Sequence, residues 1–205
     1  MYQTERYRDV IIALKLADDY GQNLGRIQLQ KFIYLADIIS VLWNTLAPKN
    51  GHETYRNGPY DSDIQNAVDI LSFRGFISIV DINIRDEKRV SSNYRINING
   101  KKLFDRLKNN LLFKNRIELY CFIAKKIDER GWANLMALVY AEPTYSYSKI
   151  NGWGYRFNYS SLLTNDTLQI LRGFEKMLNR NSGFQLSKEN LTSLYFKLLD
   201  KKIVN

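Results

Sequence analysis

The chain has 205 residues, 45% of them hydrophobic and 25% charged, with a formal net charge of +9. This balance is that of an ordinary globular protein with a substantial core, and it excludes a disordered chain, a collagen or a disulfide scaffold. One cysteine, Cys121, and one histidine, His52, cannot build a Cys/His zinc site, and a lone cysteine fits a reducing, cytoplasmic compartment. No apolar run approaches the roughly 20 residues that span a bilayer, and the charged start predicts no signal peptide.

The charge is uneven. Residues 1–105 carry 14 Lys/Arg against 13 Asp/Glu, and residues 106–205 carry 16 against 8. A basic half fits nucleic acid or an acidic partner. A solvated, Lys-rich surface accounts for it as well, because basic residues run only in pairs such as Lys125-Lys126.

Apolar spacing predicts a helix over 5–20, through Val10, Ile11, Leu14 and Ala17. After Gly21 and Gly25 a second helix, 26–43, has an apolar arc too wide for a surface helix and belongs at the centre of the domain. Its apolar positions run from Ile27 to Trp43. Residues 48–59 read as a loop with a turn at Asn57-Gly58-Pro59. Asp61 or Ser62 can cap a third helix to about Arg74. The period then shortens to two. Residues 76–84 and 94–98 form a hairpin around the polar turn Arg85-Asp86-Glu87-Lys88.

A helix resumes near Asn99 and packs through Leu103, Phe104 and Leu107. Residues 111–130 and 133–141 predict two more helices, the first packing through Ile117, Tyr120, Cys121, Ala124 and Ile127. Residues 142–163 read as an aromatic loop, and helices follow at 166–179 and 188–203, the last capped by Ser187. The expected fold is mainly α (α+β). A winged-helix-like unit with a β-hairpin wing covers 1–105, and a basic helical unit, 106–205, packs against it.

A winged helix suggests DNA, but the third helix presents Asp61, Asp63 and Asp69 where a reader wants Lys or Arg. Gln65 and Asn66 on that helix could contact adenine, though capping and solvation explain them equally. Backbone contacts are open to Arg85, Lys88 and Arg89 in the wing and to Lys125 and Lys126, with a solvated hairpin tip as the plainer account of the first three. Catalytic constellations are poor. Gly152-Trp153-Gly154 lacks the third glycine of a nucleotide loop, there is no Walker lysine, and His52 reads as an exposed loop residue without a nucleophile beside it. The expectation is a non-enzyme with no cofactor and no metal.

Two aromatic stretches remain as partner-binding candidates. The first offers Tyr55, Arg56 and Tyr60; the second offers Tyr145, Tyr147, Trp153, Tyr155 and Arg156. Tyr, Trp and Arg are the residues that dominate binding hot spots. Tyrosines lying on a core with hydrogen-bonded tips are the alternative, and the first stretch is also adequate as turn chemistry.

The helix Leu29-Gln30-Lys31-Phe32-Ile33-Tyr34-Leu35-Ala36-Asp37 resembles the LQK-x-x-Y-x-A-D helix of the Panacea antitoxin domain. Tyr55 to Tyr60 resembles the Y-x-x-GP segment of the same superfamily, with Tyr60 where antitoxins commonly carry a small apolar residue. The likeness spans about 5–105. The whole chain resembles a middle component of ABC-three-component systems, the group that includes Lamassu-type anti-phage defence. That likeness adds Leu138-Val139-Tyr140-Ala141-Glu142-Pro143-Thr144 and Gly152-Trp153-Gly154. It implies a bacterial, non-catalytic accessory subunit bridging an SMC-like ATPase and an effector nuclease, with DNA engaged through the complex. A Panacea-type antitoxin and a winged-helix regulator are the alternatives.

Overall fold

The computed structural model describes residues 3–45, 47, 51–85, 89–159, 161, 163–182 and 187–204. It is mainly helical, with a small antiparallel sheet. Helix α1 (Gln3–Asp19) leads through a two-residue strand β1 (Leu24–Gly25) into α2 (Arg26–Ile38). Helix α3 (Ser62–Phe73) precedes the hairpin β2 (Ile77–Arg85) and β3 (Arg89–Ile96), which runs into α4 (Ile98–Lys108). Helices α5 (Lys114–Arg130), α6 (Trp132–Ala141), α7 (Pro143–Ser148), α8 (Asp166–Ser182) and α9 (Lys188–Val204) complete the chain.

Local chemistry sets the boundaries. Asp61 caps α3 by accepting from the Asp63 amide at 2.8 Å, and Asn97 caps α4 by accepting from the Asn99 and Gly100 amides. Gly75 ends the α3 segment in a left-handed conformation, φ 69°, that only glycine adopts freely. The second helix is shorter than the spacing predicts: α2 stops at Ile38 and a 3-10 turn carries Ser40–Trp43. Three-residue turns of that kind keep the apolar spacing of a helix, so periodicity alone does not separate them.

Three sequence expectations are corrected. Residues 142–163 are not one loop. The side chain of Glu142 caps α7 by accepting from the Thr144 and Tyr145 amides, with Pro143 at the first helical position. Cys121 is not on the packed face of its helix but is exposed, and Ile27 opens α2 at the surface. The strand β1 has no period to betray it; it exists because Leu24 and Gly25 pair with Tyr94 and Asn93 of β3.

The hairpin twists at a bulge between Val80 and Asn83, where Asp81 takes φ 52°. The Asp81 carboxylate accepts from Asn23 and Asn93 side-chain amides at 3.2 and 3.1 Å, which holds this unfavourable backbone in place. Beyond the bulge the ribbon is two-stranded, because β1 reaches only Asn93 and Tyr94. The alternating Ile82 and Ile84 therefore stand exposed, as does Val90.

One continuous apolar core runs from Val10 on α1 to Leu199 on α9, and α2 lies at its centre. Ten consecutive α2 residues, Leu29 to Ile38, are buried. A helix buried on all sides cannot leave its polar side chains to water, so each needs a partner within the fold. No helix among the described residues is long and apolar enough to cross a membrane.

Candidate functional site

Polar positions in α2 fall at Gln30, Tyr34 and Asp37, one stripe at i, i+4 and i+7, with Lys31 beside it. Each grips a different part of the chain. Gln30 donates to the Asp61 carbonyl and accepts from the Asp61 amide, both at 2.8 Å. Lys31 donates to the Pro59 carbonyl at 2.6 Å. Tyr34 donates to Glu142 at 2.5 Å. Asp37 pairs with Arg6 at 2.8 Å and with Arg116 at 2.5 Å. Helix α2 and the Tyr55–Tyr60 segment are thus one hydrogen-bonded unit.

Around Asp37 lies a fully buried ionic centre. Arg6 on α1 meets Asp9, Asp37 and Asp61, and Arg116 on α5 meets Asp9 and Asp37. His52 comes within 3.4 Å of Asp37, and its Nδ1 lies 2.6 Å from the Tyr159 hydroxyl. Burial acts to raise the Asp37 carboxyl, but Arg6, Arg116 and His52 outweigh it and hold the group well below the usual carboxylate range. Burial lowers the His52 imidazole below its ordinary value against the pull of Asp37. Both guanidiniums lie well above theirs despite burial, Arg6 chiefly through Asp37 and Arg116 chiefly through Asp9. The expected exposed histidine is therefore wrong. His52 is held inside because its backbone carbonyl accepts from the Phe157 amide while Tyr34 and Tyr159 pack edge-on against its ring. This centre ties α1, α2, α5 and the 51–61 segment together, and two guanidiniums supply its countercharge. No group of three or more His, Cys, Asp or Glu among the described residues is arranged to hold a metal.

A second buried cluster surrounds Glu142. Its carboxylate accepts from Tyr34, from the α7 amides and from the Thr167 hydroxyl, and Thr167 in turn contacts Tyr195. Burial first, then Glu142, pushes the Tyr34 hydroxyl well above its ordinary pKa, so it remains a donor.

The two aromatic stretches, some hundred residues apart, are zipped into one surface. Glu53 bridges Tyr60 on one side and Arg156 on the other. The Thr54 amide donates to the Tyr155 carbonyl at 2.9 Å, the Gly154 amide to the Thr54 carbonyl at 2.9 Å, and the Thr54 hydroxyl to the Gly152 carbonyl at 2.6 Å. Tyr55 is 51% exposed and Trp153 72%, and Arg56 and Arg156 are exposed beside them. Tyr147 is exposed on α7, and Tyr155 is half-buried. Tyr60 is half-buried, bonded to Arg26 at 2.9 Å and packed on Tyr55 with ring centres 5.2 Å apart. Tyr145 does not share the surface. It is 2% exposed, with the Lys149 ammonium over its ring.

The proposed backbone-contact residues divide. Lys125 is exposed, while Lys126 is tied to Glu129 at 2.6 Å and lies over Phe122. Lys88 lies outside the described residues, as do the side chains of Arg85 and Arg89.

Sequence reasoning missed Arg6, Asp9, Lys31, Asp37 and Arg116. A signal was present: a lysine and an aspartate inside the widest apolar arc of the chain, and an arginine next to Ile117 on an apolar face. Charged residues at such positions demand buried partners. No family model, curated protein or solved structure matches the chain.

Proposed function

We propose that this chain is a non-catalytic interaction subunit of a hetero-oligomer, an accessory component of the Lamassu type that joins an SMC-like ATPase to an effector nuclease. The observation that carries the reading is the composite aromatic surface. Tyr55, Arg56, Trp153 and Arg156 come from two distant segments, and backbone bonds through Thr54 hold them together. Exposed Trp, Tyr and Arg on a rigid backing are hot-spot chemistry. The buried ionic centre supports the same reading, since its acid and base groups are buried and closed to a substrate.

The order α1-β1-α2-α3-β2-β3 is read here as a winged helix used for protein contact. Its third helix exposes Asp69, which suits a protein better than phosphates. Exposed Ile82, Ile84 and Val90 on the hairpin offer a second contact area, so the two partners need not compete.

Co-purification from the native operon with a tag on this chain tests the proposal. A large ATPase and an effector are expected in fixed ratio. Recovery of nothing but DNA, or a stable lone monomer without affinity for the ATPase, overturns it. A second reading, a Panacea-type antitoxin, is favoured by the joining of the two antitoxin-like segments through Gln30 and Lys31. It requires capture of a single small toxin and rescue of growth from it.

A further inference from the structure

Lys31 differs from the other buried cations. Arg6 and Arg116 each meet carboxylates, whereas the Lys31 ammonium, 2% exposed, has no carboxylate within ion-pair distance among the described residues. Its one acceptor among the described residues is the Pro59 carbonyl, and an ammonium has three donors. Burial alone lowers it to about 7. A buried cation lacking a counter-ion is costly, and the ordinary remedy is a partner.

The ammonium stands at the wall of an open pocket of about 280 Å³ formed by Arg26, Ile27, Lys31, Tyr55, Gly58 and Tyr60. Glycine at 58 is what lets it reach this place. A Cβ there would fall 2.5 Å from Nζ, and the backbone has φ 96°. Gln30 bonds the Asp61 backbone through both its amide nitrogen and its oxygen, and the cationic donors that face the pocket are those of Lys31 and the exposed Arg26. The other titratable groups near Lys31 are Tyr55 and Tyr60 of the loop and Tyr140 of α6, whose ring lies beside Gly58.

We propose that this pocket binds a carboxylate carried by an acidic segment of the partner protein, with Lys31 as its buried counter-ion and Arg26 at the mouth. This rests on the interaction-subunit reading and names the chemistry of one contact in it. A single negative charge matches the single buried ammonium. The half-exposed Ile27 and Tyr55 form an apolar rim for the residues flanking the acid. Tyr55 belongs to both the pocket and the aromatic surface, so a peptide docked on that surface passes the pocket mouth. The chain's charge of +9 favours an acidic partner at long range.

The test uses the full chain with ¹³C-labelled lysines and four probes. Two are tripeptides acetylated at the N-terminus: an amidated Leu-Glu-Leu, and a Leu-Gln-Leu with a free C-terminal carboxylate. The third is the amidated Leu-Gln-Leu, and the fourth is inorganic phosphate. A carboxylate probe is expected to shift the Lys31 ε-resonances and raise its titration midpoint. Calorimetry near pH 7 in buffers of different ionisation enthalpy then reads an uptake of about half a proton, since the free group sits at about 7. Which carboxylate binds tighter tells a side-chain acid from a chain terminus. Lys31→Met should weaken the binding by at least about tenfold, and Arg26→Gln, at an exposed position, by about two- to fivefold. Equal binding of the uncharged tripeptide, a response to phosphate alone, or no shift at Lys31 with any probe overturns the pocket. Failure here with the ATPase and effector still captured sinks the pocket and spares the subunit reading; failure of capture with acidic tripeptides still bound does the reverse.

Discussion

The Tyr34 hydroxyl donates to the Glu142 carboxylate at 2.5 Å, across 108 residues of chain. One partner lies in the buried helix α2 and the other caps α7, so this bond fastens the N-terminal helices to the C-terminal ones. Glu142 is fully buried, and each donor it loses leaves an anion less compensated.

Tyr34→Phe is therefore expected to destabilise the chain by about 1–3 kcal/mol, without creating a cavity. Urea unfolding measures it. Thr167→Val should be non-additive with it, because both hydroxyls serve the same carboxylate. Strict additivity would mean that the two bonds are not shared through Glu142.

Asp37→Asn should cost about 3–5 kcal/mol, since Arg6 and Arg116 would then share fewer buried charges. The pH dependence follows from the same centre. The Asp37 carboxyl is depressed in the folded chain. Its contribution is present above the ordinary carboxylate pKa near 3.9 and is lost as pH falls below it. The His52 imidazole is depressed as well, so stability also falls as pH drops through the ordinary histidine value near 6.5, where the unfolded chain takes up the proton first. Urea midpoints recorded from pH 8 to 3 should decline in two stages, and a flat profile down to pH 4 would contradict the buried, neutral His52.

Lys31 acts in the same direction, in a window at higher pH. Its folded value is about 7, below the unfolded value near 10.5. Between these limits the unfolded chain holds more protons, so stability rises with pH, by at most about 1.4 kcal/mol per unit. Wild type should gain on Lys31→Met between pH 7 and 9.5. Parallel profiles for the two proteins would show that the ammonium is not desolvated.

Trp153→Ala should change stability by less than about 0.5 kcal/mol, because the side chain is largely exposed. Capture of a partner through the aromatic surface should fall by more than about tenfold. Unchanged capture would move the docking site to the hairpin.

Thr54→Val removes the hydroxyl that bonds the Gly152 carbonyl and accepts from the Tyr155 amide. Amide exchange should then speed up at Tyr155 more than at Gly154, whose partner is the Thr54 backbone carbonyl. Equal acceleration at both would mean the whole zipper opens as one unit.

The sequence by itself determined the longer helices, the hairpin and the centrality of α2, because apolar spacing and caps such as Asp61 and Ser187 act over a few residues, but it left the short α7 unread. It also picked out Tyr55, Arg56, Trp153 and Arg156 by residue type. It left the ionic centre unread, since Arg6, Asp9, Asp37, His52, Asp61 and Arg116 come from four separate segments and have no local spacing in common. Only the tertiary structure decided which aromatic residues face out: Tyr145 and Tyr147 are two apart in sequence, yet one is buried and the other exposed. The reason is physical. Hydrogen bonds at a cap are chosen by the neighbouring backbone, whereas a buried charge or ring is placed by whatever distant segment can satisfy it.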